Sequence, residues 1–228
     1  MKAMILAAGR GERLRPLTER VPKPLLEAGG KPLIVWHLER LARAGVREIV
    51  INVSHLARSI EQRLGNGAAF GISIAYSRER EPLDTAGGIA HARALLGDAP
   101  FLLLNGDIYC AYDPAQLRGR ELGAQLAHLV LVPNPLFRVQ GDFSLRDGCV
   151  GNAPQPRYTY AGIALLAPAL VAGVAPLEKA PLAPLLHAAA ARGQVSGELY
   201  EGLWRDVGTA ERLAELEALL HARRGAGD

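Results

Sequence analysis

The 228-residue chain is 49% hydrophobic and 21% charged, with a formal net charge of +3, a balance that excludes a disordered polyelectrolyte and suits a globular protein burying its own core. Aromatics make up only 5% and no basic run accompanies the charge, which argues against a nucleic-acid binder. Two cysteines, Cys110 and Cys149, stand without C-x-x-C spacing, so a disulfide framework and a cysteine zinc site are both excluded and a reduced, cytoplasmic chain is expected.

The apolar stretch Ala3–Ala8 is too short to span a membrane and lacks the long apolar region of a signal peptide. It reads as the end of a first strand, Lys2–Ala7. Pro32–Ala44 follows as a helix, with proline in its first turn and Gly45 just past its end. Glu48–Val53, rich in β-branched residues, is a second strand; His55–Leu64 is a helix stopped near Gly65 and Gly67. Ile72–Tyr76 is a strand, Gly87–Leu96 a helix and Phe101–Asn105 a strand. This alternation predicts an α/β fold with a mostly parallel sheet and helices on both faces, whose ligands sit at the carboxyl ends of the strands. Further on, Gln125–Val132 and Tyr158–Leu166 read as strands joined by a Pro- and Gly-bearing segment, 133–156. Lys179–Arg192 and Thr209–Arg223 read as helices, the latter with Leu213, Leu216, Leu219 and Leu220 on one face, before a frayed tail at 225–228.

Chemistry concentrates where strands end. Directly after the first strand runs Leu6-Ala7-Ala8-Gly9-Arg10-Gly11-Glu12-Arg13-Leu14. Glycines 9 and 11 let the backbone approach a ligand, and successive N–H groups of such a loop can cradle phosphate oxygens; a ligand-free turn has the same pattern. The dinucleotide fingerprint is excluded because Leu14 stands where its third glycine belongs, and no Gly-Lys-Ser/Thr P-loop is present. Lys23 lies between Pro22 and Pro24, which stiffen its backbone for a phosphate contact or a solvated turn. Leu104-Asn105-Gly106-Asp107 delivers an aspartate at a strand end, where Mg²⁺ is held by one or two carboxylates plus phosphate oxygens, or where a simple turn forms. Asp206 offers a second carboxylate, or an ordinary helix-entry aspartate, just before the last helix.

The glycine loop, the Lys23 segment, Asn105-Gly106-Asp107 and Trp204-Arg205-Asp206-Val207-Gly208-Thr209 occur in the order and spacing of the sugar-1-phosphate nucleotidyltransferases, which the chain resembles over essentially its whole length. Glu81-Pro82-Leu83-Asp84-Thr85-Ala86-Gly87-Gly88 is similar to that family's base-contacting loop. The resemblance implies a nucleotide-diphospho-sugar transferase fold, Rossmann-like, in one domain over 1–224, with a nucleotide-binding half at about 1–110 and a sugar-binding half at about 111–224. It implies that Leu6, Ala7, Ala8, Gly9, Gly11 and Glu12 line the nucleotide and that Arg13 and Lys23 are the catalytic cations meeting the phosphates. Glu81, Thr85 and Gly88 would border base and ribose; Asn105, Gly141, Asp142 and Gly162 would serve the sugar phosphate; Asp107 and Asp206 would hold Mg²⁺. The partners implied are a nucleoside triphosphate and a sugar 1-phosphate, with no nucleic acid, membrane or obligate protein partner. A phosphate monoester is already anionic, so its attack on the α-phosphorus needs no general base, and none of the six histidines is assigned a role.

The compact length, without a hexapeptide-repeat extension, resembles the single-domain pyrophosphorylases. Within them the segments Glu81–Thr85, Gly141-Asp142-Phe143, Tyr160-Ala161-Gly162 and Leu203–Asp206 are most similar to the uridylyltransferases of N-acetylmuramate 1-phosphate, which implies UTP as donor and a place in cell-wall recycling. Two features depart: Tyr160 stands where many relatives carry Asn, and Asp84-Thr85-Ala86-Gly87-Gly88 is close to the loop of guanylyl- and thymidylyltransferases for mannose and glucose 1-phosphates. A regulatory subunit that has lost catalysis would be expected to lack Arg13, Lys23, Asp107 or Asp206, and all four are present.

Overall fold

The computed structural model describes residues 1–225; the frayed tail expected at 225–228 lies, from residue 226 on, outside the described residues. Strand β1 (Lys2–Leu6) shows what organises the chain. Ala3 and Ile5 pack into one apolar cluster and Met4 into another, so the strand is buried on both faces and needs helices on each. After it come the ribbon β2 (Glu27–Ala28) and β3 (Lys31–Pro32), then α1 (Leu33–Arg43), β4 (Glu48–Val53), α2 (Ala57–Leu64), β5 (Ser73–Arg78), α3 (Asp84–His91) and α4 (Arg93–Leu96). The next strands are β6 (Phe101–Asn105), β7 (Ile108–Cys110), β8 (Ala127–Val132), β9 (Phe143–Arg146), β10 (Cys149–Gly151) and β11 (Arg157–Leu166). Helix α5 (Leu182–Ala191), strands β12 (Val195–Leu199) and β13 (Trp204–Asp206) and helix α6 (Ala210–Gly225) complete the order.

One nine-stranded sheet runs through both halves in the order β5-β4-β1-β6-β11-β8-β12-β10-β9. Strands β5, β4, β1 and β6 are mutually parallel, as the alternation of apolar runs and helices predicts. Beyond β6 the expectation of a mostly parallel sheet gives way to a mixed one. β11 is antiparallel to both β6 and β8, whereas β8 and β12 are parallel. The reason is local: the segment 133–156, expected to be irregular, contains the hairpin β9–β10, which returns the chain so that β11 enters the sheet in the opposite sense.

Ile34, Leu38 and Leu41 of α1 and Ile60 and Leu64 of α2 cover one face, and Ile89 of α3, Leu96 of α4 and Leu182 and Leu186 of α5 cover the other. Leu38 and Leu41 are wholly inside, each contributing about 1.5–3 kcal/mol from burial. A third cluster joins Leu216 and Leu220 of α6 to Ala28, Tyr109 and Val207, fastening the last helix beside the small sheet formed by β7 and β13. The helix expected at Gly87–Leu96 begins earlier and is divided at Ala92 into α3 and α4. No helix of the described residues is long and apolar enough to cross a membrane.

Candidate active site

The carboxyl ends of β1, β4, β5 and β6 converge on one cavity of about 250 Å³. Leu6, Ala7, Ala8 and Gly9 enter it from β1, Asn52 from β4, Glu79 from β5, and Asn105, Gly106 and Asp107 from β6. Gly106 approaches so closely that a Cβ there would lie 2.5 Å from the Leu6 carbonyl oxygen, which accepts the Gly106 N–H at 2.9 Å. The glycine thereby fixes the two strand ends side by side.

Two buried polar side chains hold the floor. Asn52 Oδ1 accepts the Ala7 N–H at 2.9 Å, and its Nδ2 donates to Glu79 Oε1 at 2.7 Å. Glu79 Oε2 accepts the Leu83 N–H at 2.9 Å, so one chain of hydrogen bonds ties the loop after β1 to the segment that opens α3. Gly88 is built for this pair: a Cβ there would meet Glu79 Oε1 at 2.7 Å and Asn52 Nδ2 at 2.9 Å. Gly88 thus stands behind the cavity wall rather than in it. Glu81, expected at the base, is exposed and does not line the cavity; Glu79 occupies that wall instead, with Asn52, Pro82, Asp84 and Thr85.

Lys23 enters from a single 3-10 turn, Lys23–Leu25, set by the prolines around it. Only 8% exposed, it extends its ammonium to Asp107, Nζ to Oδ2 being 2.7 Å. Gly11, with φ at +64°, turns the loop back, and Thr18 Oγ1 donates to its carbonyl at 2.9 Å. Glu12 and Arg13 follow on an exposed turn and, like Gly11, do not line the cavity, although Lys23 and Leu6 to Gly9 do.

A second cavity of about 430 Å³ shares Asp84, Thr85 and Asn105 with the first. Its far wall carries Arg138, Asp142, Phe143, Tyr160, Leu186 and His187. Asp142 is clamped: Oδ2 accepts the Tyr160 N–H at 2.8 Å and lies 3.4 Å from an Arg138 guanidinium nitrogen. Gly141, with φ at +61°, precedes it where a Cβ would meet Asn134 Oδ1 at 2.8 Å. Gly162, with φ at +78°, sits where the β11–β8 ladder slips, and a Cβ there would lie 2.7–2.9 Å from the Asn105 side chain. It shapes the site by admitting Asn105 rather than by lining it. The Tyr160 hydroxyl is buried with no partner among the described residues, and burial pushes its pKa up, so it stays a donor at neutral pH.

Asp206 does not reach the first cavity and instead lines a third, of about 570 Å³, with Arg205, Arg212 and Phe137. It is nonetheless next to Asp107: it stands opposite Ile108 in the β7–β13 pair, and the Val207 N–H donates to the Asp107 carbonyl at 3.0 Å. Trp204 Nε1 donates to the Ala161 carbonyl at 2.8 Å, anchoring β13 against β11. Asp206 Oδ1 lies 3.0 Å from Arg212, and Asp107 Oδ2 is taken by Lys23. Each carboxylate therefore has one oxygen engaged by a protein cation, and the other oxygens suit a hard divalent ion. Among the described residues no group of three or more metal-ligating side chains occurs.

Residues 2–132 match the nucleotidyl transferase family. The chain belongs to that family. It is 49% identical, over 97% of its own length and 99% of the relative's, to N-acetylmuramate alpha-1-phosphate uridylyltransferase of Neisseria meningitidis. It is 32% identical to the mannose-1-phosphate guanylyltransferase catalytic subunit beta of Drosophila pseudoobscura, over 91% of this chain but 59% of that one. In fold it superposes on a Bacillus anthracis chain described as a glucose-1-phosphate thymidylyltransferase, with a TM-score of 0.86, 22% identity and coverage of 96% and 95%. The family match ends at β8, so it spans the whole first cavity but not the residues from Arg138 to His187 that form the far wall of the second.

Proposed function

We propose that this nucleotidyl transferase joins UTP to N-acetylmuramate 1-phosphate, releasing pyrophosphate and forming the UDP-sugar used in cell-wall recycling. The observation that carries the reading is the junction of the two cavities at Thr85 and Asn105, beside the Lys23–Asp107 pair. A nucleotide in the first cavity and a sugar in the second bring their phosphates to that junction. The choice of base and sugar is supported by the 49% identity to the Neisseria uridylyltransferase across nearly all of both chains.

The difficulty of the reaction is electrostatic, because two anions have to meet. The sugar phosphate oxygen attacks the α-phosphorus in line with departing pyrophosphate and, already charged, requires no base. The backbone after β1 lines the nucleotide, held in place by Asn52. Lys23, fixed by its flanking prolines, places a positive charge where negative charge accumulates. Asn105 stands in both cavities and orients the incoming phosphate. Asp107 and Asp206 would hold Mg²⁺, which supplies Lewis-acid neutralisation of phosphate oxygens when bound. Arg13 and Glu12 lie on the loop's exposed turn, outside the cavity lining.

The test is pyrophosphate release by the purified protein with Mg²⁺, each of UTP, GTP and dTTP, and a panel of sugar 1-phosphates. Release with UTP and N-acetylmuramate 1-phosphate, abolished by chelator and restored by Mg²⁺, is the expected result. Preferred release with GTP and mannose 1-phosphate, or with dTTP and glucose 1-phosphate, would replace the substrate assignment, and no release with any pair would end the enzymatic reading.

A further inference from the structure

N-acetylmuramate differs from N-acetylglucosamine by a lactyl ether on O3 that ends in a carboxylate. A site that selects the former needs a cation placed beyond the phosphate end, and Lys23 is engaged at the junction by Asp107. In the wall of the second cavity two groups could answer a carboxylate, Arg138 and His187. His187 is set the wrong way for it. Asn152 Nδ2 donates to the His187 carbonyl at 2.9 Å, which turns its Oδ1 onto His187 Nδ1 at 2.8 Å. Its Nδ1 is thereby committed as a donor to Asn152, and only the Nε2 edge is left to face a ligand.

Arg138 is left as the one permanently charged cation in that wall. It stands on the short turn Leu136–Arg138, its side chain is 53% exposed, and its only ion pair among the described residues is the single 3.4 Å contact to Asp142. A guanidinium held by one contact retains donors for a planar carboxylate, which it can meet with two parallel hydrogen bonds. Asp142 is itself satisfied by the Tyr160 N–H, so Arg138 can be shared without leaving that carboxylate bare. Phe143, Leu182 and Leu186 give the same cavity an apolar side suited to the acetyl and lactyl methyl groups.

We infer that Arg138 is the specificity-determining residue that reads the lactyl carboxylate of the sugar phosphate, making the second cavity selective for acidic over neutral N-acetylated hexose 1-phosphates. The inference rests on the substrate reading of the preceding section. It is independent of the Lys23–Asp107 chemistry.

The experiment is a set of steady-state assays with UTP on the full chain, comparing N-acetylmuramate 1-phosphate with N-acetylglucosamine 1-phosphate. The wild-type protein is expected to favour the acidic sugar in kcat/KM. In Arg138→Gln the ratio of the two kcat/KM values should fall by about 10- to 100-fold, the size of one lost charge-assisted hydrogen-bonding contact, chiefly through KM. Arg138→Lys should recover part of the ratio. An unchanged ratio in Arg138→Gln, whether both values fall equally or neither moves, overturns the assignment while leaving the substrate reading intact. Failure of the wild-type protein to use N-acetylmuramate 1-phosphate, when another sugar 1-phosphate is turned over, overturns the substrate reading itself and this inference with it.

Discussion

Lys23 and Asp107, 84 positions apart in the chain, meet with Nζ 2.7 Å from Oδ2, and the lysine is much the more buried of the two, its side chain 10% exposed against 39%. That inequality makes the two halves of the pair different to remove. Lys23→Ala leaves an aspartate that water can reach, so its stability should stay within about 1 kcal/mol of wild type. Asp107→Ala strands a nearly buried ammonium and should cost about 1–3 kcal/mol. Both should lower turnover by about 10²-fold or more, as the loss of one preorganised electrostatic contact does. Because the two act as a unit, the double variant should be far less impaired than the product of the singles. Pyrophosphate-release kinetics with thermal melts checks all three, and near-normal turnover in a folded Asp107→Ala protein would remove it from the metal site.

Acid sensitivity has a definite source in His37. The ring is buried under α1, Nε2 donates to the Ile108 carbonyl at 2.9 Å, and burial, helped by nearby Arg40, pushes its pKa down from 6.5 to about 4. Between those values the unfolded chain binds a proton that the folded one refuses, so stability rises with pH across the window and is lost as pH falls through it. The loss should reach roughly 3 kcal/mol by pH 4. His128 is shifted in the same direction, by burial and then Arg120, and adds to the slope. Urea melts at pH 7 and pH 5 should show a smaller difference for His37→Gln than for wild type; an equal difference would show that His37 does not titrate in this way.

What the sequence carried legibly was local. The loop after β1, Lys23 between its prolines, and Asn105-Gly106-Asp107 announce themselves because strand ends, glycines and prolines are punctuation read over a few residues. The parallel sense of β5, β4, β1 and β6, though not their order, follows from the same punctuation. Less legible were features made by partners far apart. Glu79 sits two residues before Glu81, and only the tertiary pairing with Asn52 tells which carboxylate faces inward. A polar Asn52 directly after the apolar run Ile49–Ile51 of β4 was the available signal. β7 and β13, three residues each, are too short to leave a period, and β12 hides behind Ser196 and Gly197. The hairpin β9–β10, and with it the antiparallel turn of the sheet, lay in a segment whose prolines and glycines read as irregular.

The Asn52–Glu79 link should matter for nucleotide affinity more than for chemistry. Asn52→Ala leaves the Ala7 N–H and one Glu79 oxygen buried without partners, each costing about 1–3 kcal/mol. The loop after β1 then loses its tie to the segment before α3. We expect a melting temperature several degrees lower and a nucleotide KM raised about tenfold, with kcat changed less. Titration with UTP separates the two parameters, and a variant with reduced kcat at unchanged KM would place Asn52 in the reacting geometry instead.

Gly162 gives a test of how the sheet controls the junction. Its φ of +78° costs any other L-residue about 1 kcal/mol or more, and an added methyl would press on Asn105 Nδ2, Cβ and Cγ at 2.7–2.9 Å. Asn105 lines both cavities, so its displacement disturbs the point where the two phosphates meet. Gly162→Ala should therefore lower kcat with either sugar 1-phosphate by about tenfold or more while the protein remains folded, since misplacement of this kind can cost up to about 10²-fold. Asn105→Ala removes Nδ2 and Cγ but keeps Cβ, so it relieves the larger part of the clash, and the double variant should be little worse than Asn105→Ala alone. If the double variant is instead much slower than Asn105→Ala, the glycine acts on the site by a route other than Asn105.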